Sequence, residues 1–351
     1  MTDVTVATLR ADQTLHDAFR VAAASGDRLA VVVDGDGRVT TSVSDGDIRR
    51  AVLAGLPLET PLSRIASPAP LFLDPADTDD AVRDLFTRSG RSAIAVVDAD
   101  RRLVGVRRLG DVAPELALAP VGVLMVGGRG ERLRPLTDKL PKPLLKIGGA
   151  AIVERLIVAM RAAGVAEIYL TVNYLAEEFE ERLGDGSELG VPLRYVREDQ
   201  PLDTAGALSL LPPQDRPLLV SNGDLVTTID FGAMLDFHRF HRSAITVAGV
   251  EYAATVPYGV LRTAEHHLLH IDEKPTTRQL VSGGIYVLSP DVLRYVPGDR
   301  PFKMPELIDA VLNDGLGVSV FPVLERWSDI GSKDEFERVL FEFAVEDQED
   351  H

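Results

Sequence analysis

Cysteine is absent from the 351 residues, which excludes disulfides and thiolate metal sites and makes a reducing cytoplasm the expected compartment. Long apolar runs are also missing. No stretch approaches the roughly 18 residues that span a bilayer, and Met1 to Arg10 lacks the charged-then-apolar order of a secretory signal. No membrane partner is expected. Positive charge is scarce: 37 Lys and Arg face 54 Asp and Glu, for a formal net charge of -17 and an isoelectric point near 4.9. That balance excludes nucleic acid as a partner, because its backbone demands concentrated positive charge. What remains is ordinary globular material, 45% hydrophobic and 26% charged at a mean hydropathy of +0.06. It is enough for two domains, of about 120 and about 230 residues. Residues 346–351 read as an acidic tail outside them.

Two similar units occupy residues 1–119, divided into about 1–60 and 61–119. Each has an amphipathic helix (Thr14 to Ala24, Thr78 to Ser89), an apolar strand with an acidic turn (Leu29 to Val33, Ala93 to Val97), and a second strand. Each closes on an aspartate at a helix start. These are Asp47 and Asp111, and 111 less 47 gives an offset of 64 residues. The arrangement resembles a CBS-domain pair, an α+β regulatory module. The resemblance implies a candidate adenine-nucleotide site in which a Ser or Thr three residues before the aspartate holds ribose and phosphate. It also implies a homo-oligomer, since such pairs commonly associate. Ser44 and Asp47 match the pattern; Asp111 has Arg108 where the hydroxyl should be. The alternative is that both aspartates cap their helices.

Residues 119–327 alternate strands with helical stretches. Strands are expected at Val121 to Val126, Glu167 to Val172, Leu193 to Val196 and Pro217 to Val220, and helices at Ala151 to Ala163, Ala176 to Leu183, Gly206 to Leu211 and Phe231 to Arg239. That rhythm predicts an α/β fold with a mostly parallel sheet covered on both faces, binding ligands at the strands' carboxyl ends.

The scarce cations gather at Arg129, Arg132, Arg134, Lys139, Lys142 and Lys146. On charge alone this is a solvated face. Its glycines point elsewhere: Met125-Val126-Gly127-Gly128-Arg129-Gly130-Glu131-Arg132-Leu133 runs from a strand into a loop whose backbone N–H groups can cradle a polyphosphate, and Pro141-Lys142-Pro143 follows. Neither a Walker A loop nor a G-x-G-x-x-G dinucleotide fingerprint fits. The loop resembles the G-G-x-G-x-R-L signature of the sugar-phosphate nucleotidyltransferases, with Glu131 where a small Thr or Ser is usual.

Further pieces of that resemblance follow in order. Glu198-Asp199-Gln200-Pro201-Leu202-Asp203-Thr204-Ala205-Gly206 looks like the base-binding segment, with Asp203 replacing a glycine. Asn222-Gly223-Asp224 and Trp327-Ser328-Asp329 look like the segments carrying two metal aspartates. Tyr258-Gly259, Glu273-Lys274 and Gly283-Gly284 look like sugar-pocket motifs. The resemblance implies a Rossmann-like doubly wound mixed sheet over residues 120–345. It implies nucleotide contacts from Met125, Gly127, Gly128, Gly130, Glu198, Pro201, Thr204, Gly206 and Asn222, and sugar-phosphate contacts from Tyr258, Gly259, Glu273, Lys274, Gly283 and Gly284. It further implies catalysis by Arg132 and Lys142, and Mg²⁺ held by Asp224 and Asp329.

The chemistry explains these residue types. A nucleoside triphosphate and a sugar 1-phosphate repel each other. Mg²⁺ needs only one or two protein carboxylates, Arg132 would neutralise leaving pyrophosphate, and Lys142 would hold the incoming phosphate. Asp224 could instead belong to a turn, Asp329 could cap a helix over residues 332–341, and Glu273-Lys274 could be an exposed pair. A carboxylate at Glu198 suits the paired N–H donors of guanine, so GTP is expected, with mannose, glucosamine or heptose 1-phosphate as partner. UTP or dTTP is the alternative nucleotide, and a catalytically weak nucleotide sensor is the alternative function. His238, His241, His266, His267 and His270 read as surface residues rather than metal ligands.

Overall fold

The computed structural model describes residues 7–65, 70–89, 91–112 and 119–349, with side chains described as far as residue 343. The start of the first repeat, the 113–118 junction and residues 350 and 351 of the expected tail lie outside the described residues.

In the first unit β1 (Thr8–Arg10) runs parallel to β2 (Leu29–Val33), which pairs antiparallel with β3 (Val39–Ser44). Helix α1 (Leu15–Ala24) starts where Thr14 and Asp17 exchange hydrogen bonds as a capping box, and it buries Leu15, Ala18 and Ala22 on one face. Helix α2 (Asp45–Leu53) starts the same way, with Ser44 and Asp47 as the pair. The second unit repeats the plan with α3 (Asp79–Ser89), β4 (Ala93–Val97), β5 (Leu103–Arg108) and α4 (Leu109–Val112). A single bridge from Leu73 to Val96 stands where the first unit has β1. Leu29, Val31, Val39 and Ala95 pack the two units face to face.

The rest of the chain begins with β6 (Val121–Met125), the small ladder β7 (Lys146–Ile147) and β8 (Ala150–Ala151), α5 (Ile152–Ala162), β9 (Glu167–Val172), α6 (Ala176–Leu183) and β10 (Leu193–Arg197). It continues with α7 (Asp203–Gly206), β11 (Leu218–Asn222), β12 (Leu225–Thr227), α8 (Phe231–His241), β13 (Ile245–Thr255), β14 (Val260–Ala264), β15 (His267–Asp272) and β16 (Thr276–Leu288). Helix α9 (Met304–Asn313), β17 (Val318–Pro322), β18 (Trp327–Asp329) and α10 (Lys333–Glu349) complete it. A seven-stranded sheet has the order β10-β9-β6-β11-β16-β13-β17, with β16 antiparallel to both neighbours. Successive residues of one strand enter opposite cores: Val123 and Leu218 pack on one face, Leu124 and Leu219 on the other. This is the two-sided burial expected of a sheet with parallel crossovers.

Three expectations change. The helix expected from Gly206 is split into the short α7 and a 3-10 turn over Ala207–Leu210. The tail expected from residue 346 is helical to Glu349, as the last turns of α10. His238 is buried rather than on the surface. Its ring nitrogens lie 2.9 Å from Thr246 Oγ1 and 3.2 Å from Ser289 Oγ, and burial lowers its pKa to about 4.

The long strands β13 and β16 continue past the sheet and join β14 and β15 in a projecting arm. The arm exposes Tyr252, Leu261, Leu268, Leu269 and Leu280. Among the described residues no helix is long and apolar enough to cross a membrane.

Candidate active site

The strand order turns back at β6, with β9 and β10 on one side and β11 on the other. A cleft of about 310 Å³ opens there, where physical topology places ligand sites in such sheets. Met125, Gly127 and Gly128 line it from the end of β6, and Thr171 and Asn173 from the end of β9. Glu198, Pro201, Asp203 and Thr204 enclose it from the loop after β10, and Asn222 and Asp224 from the end of β11.

Two glycines of the loop are there for space. A Cβ on Gly127 would stand 3.0 Å from Glu198 Oε1. Gly130 has φ +59, and a Cβ there would meet Thr137 and Lys142 at 3.0 and 3.2 Å. Thr137 Oγ1 donates to Gly130 O at 2.8 Å, so the Pro141-Lys142-Pro143 segment is folded tightly under the glycine loop.

That packing buries Lys142 and aims its Nζ at two acids. It lies 2.5 Å from Asp224 Oδ2 and 3.6 Å from Asp329 Oδ1. The acids come from adjacent strands, since β12 and β18 pair antiparallel with Leu225 opposite Asp329, and Ile330 N donates to Asp224 O at 3.3 Å. Asp329 therefore ends a strand rather than capping a helix; the cap of α10 is Ser332, whose Oγ accepts from Glu335 N. Burial pushes the Asp329 carboxyl above the ordinary carboxylate range, the Asp224 charge pushes it further, and Lys142 offsets part of the rise. Two repelling carboxylates sharing one ammonium leave a site short of positive charge. They fit a divalent cation of the kind that takes one or two protein oxygens and completes its shell with phosphate and water. Among the described residues no group of three or more His, Asp or Glu forms a fuller cage. Arg132 is exposed on the 3-10 turn Glu131–Leu133, and its Nη1 lies 3.5 Å from where a Cβ on Gly331 would stand, so it flanks the same strand end. Glu131 is also exposed.

At the other end of the cleft, Glu198 Oε2 accepts from Leu202 N at 3.0 Å, and Asn173 Nδ2 donates to Glu198 O at 2.8 Å. Burial raises the Glu198 pKa, and the nearby Asp203 charge adds to the rise. Asp203 adopts φ 63, the left-handed backbone of the glycine it replaces, and its Oδ1 accepts from Thr204 N at 2.9 Å. Gly206 is packed beneath this loop against Phe302 and does not line the cleft.

The sugar motifs divide. Gly283 and Gly284 are buried in the sheet, Gly284 against Asn222, and Gly283 O accepts from Trp327 Nε1 at 2.8 Å. Tyr258, Gly259, Glu273 and Lys274 lie in neighbouring turns of the arm, all exposed and none among the cleft's lining residues. In the front module, Asp47 is engaged by Ser44 and by Arg50 and Arg91, the last at 3.0 Å, as the capping alternative requires. Arg108, standing where a hydroxyl was expected, pairs with Asp27 at 2.5 Å, and Asp111 is exposed on α4.

Thr171 and Asn173 were not singled out in the sequence. The signal was there, because Asn173 follows directly on the carboxyl end of a parallel strand.

A doubly wound sheet with a glycine loop, a buried lysine and two converging aspartates is an arrangement that can hold phosphoanions. The chain belongs to the nucleotidyl transferase family, whose model matches residues 121–344, and a CBS domain model matches residues 1–54. The mannose-1-phosphate guanylyltransferase of Mycobacterium tuberculosis is 33% identical over 225 residues, covering 62% of this chain and 62% of that protein. The mannose-1-phosphate guanyltransferase of Candida albicans is 33% identical, covering 61% and 62%. The chain thus spans under two thirds of the length of these relatives. HddC from Yersinia pseudotuberculosis, solved with GMP-PN, shares the fold at a TM-score of 0.50 and 23% identity, covering 64% of this chain and 99% of that one.

Proposed function

We propose that the protein is a sugar-1-phosphate nucleotidyltransferase that joins GTP to a hexose 1-phosphate, mannose 1-phosphate first, and releases pyrophosphate. The observation that carries this reading is the convergence of Lys142, Asp224 and Asp329 at the end of a cleft whose other end holds Glu198. Among the described residues Glu198 Oε1 has no hydrogen-bond partner, and Oε2 keeps a lone pair beyond its bond from Leu202 N, so the carboxylate can still face the two donors of guanine. The likeness to guanylyltransferases points to the same base.

An oxygen of the sugar phosphate attacks the α-phosphorus as the bond to pyrophosphate breaks. No general base is needed, because the attacking oxygen is already ionised. Lys142 holds the incoming phosphate, Arg132 receives the leaving charge, and the N–H groups of Gly127 to Gly130 position the triphosphate. Mg²⁺ bound by Asp224 and Asp329 would supply further charge neutralisation. The exposed arm would bring Tyr258, Glu273 and Lys274 to the sugar. An adenine nucleotide at the CBS pair would have to displace Arg91 from Asp47. A cytoplasmic location suits a chain without cysteine that consumes nucleoside triphosphates.

The test is pyrophosphate release from four triphosphates against several sugar 1-phosphates, with magnesium present or chelated. Turnover with GTP that a chelator abolishes is expected, and Asp224→Asn should lower it by about a thousandfold with the fold intact. Turnover with UTP or dTTP alone would overturn the base assignment. No turnover with any pair would leave a nucleotide sensor.

A further inference from the structure

Arg49 is fully buried and uses its whole guanidinium fork. Within its own helix it bonds Asp45 through Nε at 2.7 Å and Nη2 at 3.1 Å. Across the junction between the two parts of the molecule, Nη1 donates to Pro322 O at 2.6 Å and Nη2 to Glu325 Oε1 at 2.6 Å. Its Cζ lies 3.8 Å from the centre of the Phe321 ring. Burial alone would lower the Arg49 pKa, but Asp45 and Glu325 hold it above its ordinary value, so the clamp is always charged.

The segment Arg49 grips leads straight to the cleft. It is the turn between β17 and β18. Leu324 of this turn packs into the core of the front unit, and Glu325 Oε2 accepts from Leu324 N at 3.0 Å. From the other side, Thr227 Oγ1 and Thr228 N donate to Arg326 O at 2.7 and 3.0 Å. The next residue, Trp327, pairs with Thr227, and the ladder ends with Asp329 opposite Leu225, the neighbour of Asp224. Three residue steps of strand, about 10 Å, lead from the end of the clamped turn to Asp329, whose carboxylate converges with that of Asp224 on Lys142.

We propose that Arg49 is a positioning residue of the active site: the front unit fixes the 322–326 turn and so sets the β12–β18 ladder that holds Asp224 and Asp329 at cation-binding separation. The front unit is then a structural component of the metal end of the cleft as well as a candidate regulator. This inference rests on the reading of the two aspartates as metal ligands, and its test separates the two claims.

Free Mn²⁺ is titrated against the full-length chain by electron paramagnetic resonance, with no nucleotide present. Arg49→Lys keeps the charge and loses the fork; Glu325→Gln keeps the shape and loses the ion pair, and it serves where the buried lysine does not fold. Both should raise the Mn²⁺ dissociation constant about tenfold, as loss of groups that orient metal ligands does, and lower kcat more than they change the KM for GTP. Ile94→Val, a core change in the second unit whose cluster includes no residue of the turn, should leave Mn²⁺ binding unchanged. The inference is overturned if Glu325→Gln and Arg49→Lys bind Mn²⁺ within twofold of the unsubstituted chain while Asp224→Asn abolishes binding, or if Ile94→Val weakens it equally. Undiminished Mn²⁺ binding by Asp224→Asn would remove the metal assignment itself, and this inference with it.

Discussion

Arg49 lies between Asp45 and Glu325, and Lys142 between Asp224 and Asp329, so two parts of the molecule contain one cation and two acids each. Their surroundings differ. Around Arg49 the acid side chains are each 11% exposed, and backbone groups share their bonds; around Lys142 they are 32% and 47% exposed. The first cluster is largely shut off from water with every guanidinium nitrogen engaged, and the second has carboxylates open to solvent beside the cleft. The comparison teaches that charge count does not make a site. A buried cluster whose donors are all used can only hold chain segments together, whereas the same charges with open oxygens can exchange a partner.

The strongest way to break the comparison is to delete each cation while keeping its stem. Arg49→Met should cost about 3–5 kcal/mol, because it strands two buried acids. Lys142→Met should cost roughly 1 kcal/mol or less, because its acids reach water, while activity falls by at least about a hundredfold. Urea unfolding beside a pyrophosphate assay reads both; equal losses of stability would erase the distinction.

A smaller effect comes from the acids. Asp329 has its folded pKa raised above the ordinary 3.8. Its contribution to stability is therefore present below the unfolded pKa and lost as pH rises through the folded value. In a chelator at pH 7, Asp329→Asn should melt roughly 1–2 °C above the unsubstituted chain, and the gap should close below about pH 4. A thermal scan series against pH decides this, and a drop in melting temperature for Asp329→Asn would contradict it.

The smallest effect lies at the base end of the cleft. Asp203→Gly relieves a left-handed backbone but gives up the bond to Thr204 N, so stability should change by less than about 1 kcal/mol. Removing one negative charge beside Glu198 should lower the KM for GTP by roughly two- to threefold. An unchanged or higher KM would show that Asp203 contributes to nucleotide binding.

Legibility in the sequence followed the range of the interactions involved. The glycine loop, Lys142 and the strand ends could be read because a parallel sheet places consecutive βα turns at one edge, so local motifs become neighbours by topology. Arg49 could not. In Asp47-Ile48-Arg49-Arg50 it resembles an exposed helix face, and its partner Glu325 is 276 positions away. His238 failed for the same reason: its burial depends on Thr246 and Ser289, from strand β13 and the turn after β16. The arm was half legible, since Tyr258 and Glu273 could be recognised as motifs, while their exposed position outside the cleft's lining is set by how far β13 and β16 outrun the sheet.

The chain's single indole stands two residues from Asp329, with its N–H on Gly283 O. Its ultraviolet emission therefore comes from one known spot, beside the strand that ends in an acid of the cleft and against the root of the arm. Any ligand that shifts either of these also changes the polarity around that ring, so the protein carries its own optical probe and needs no label.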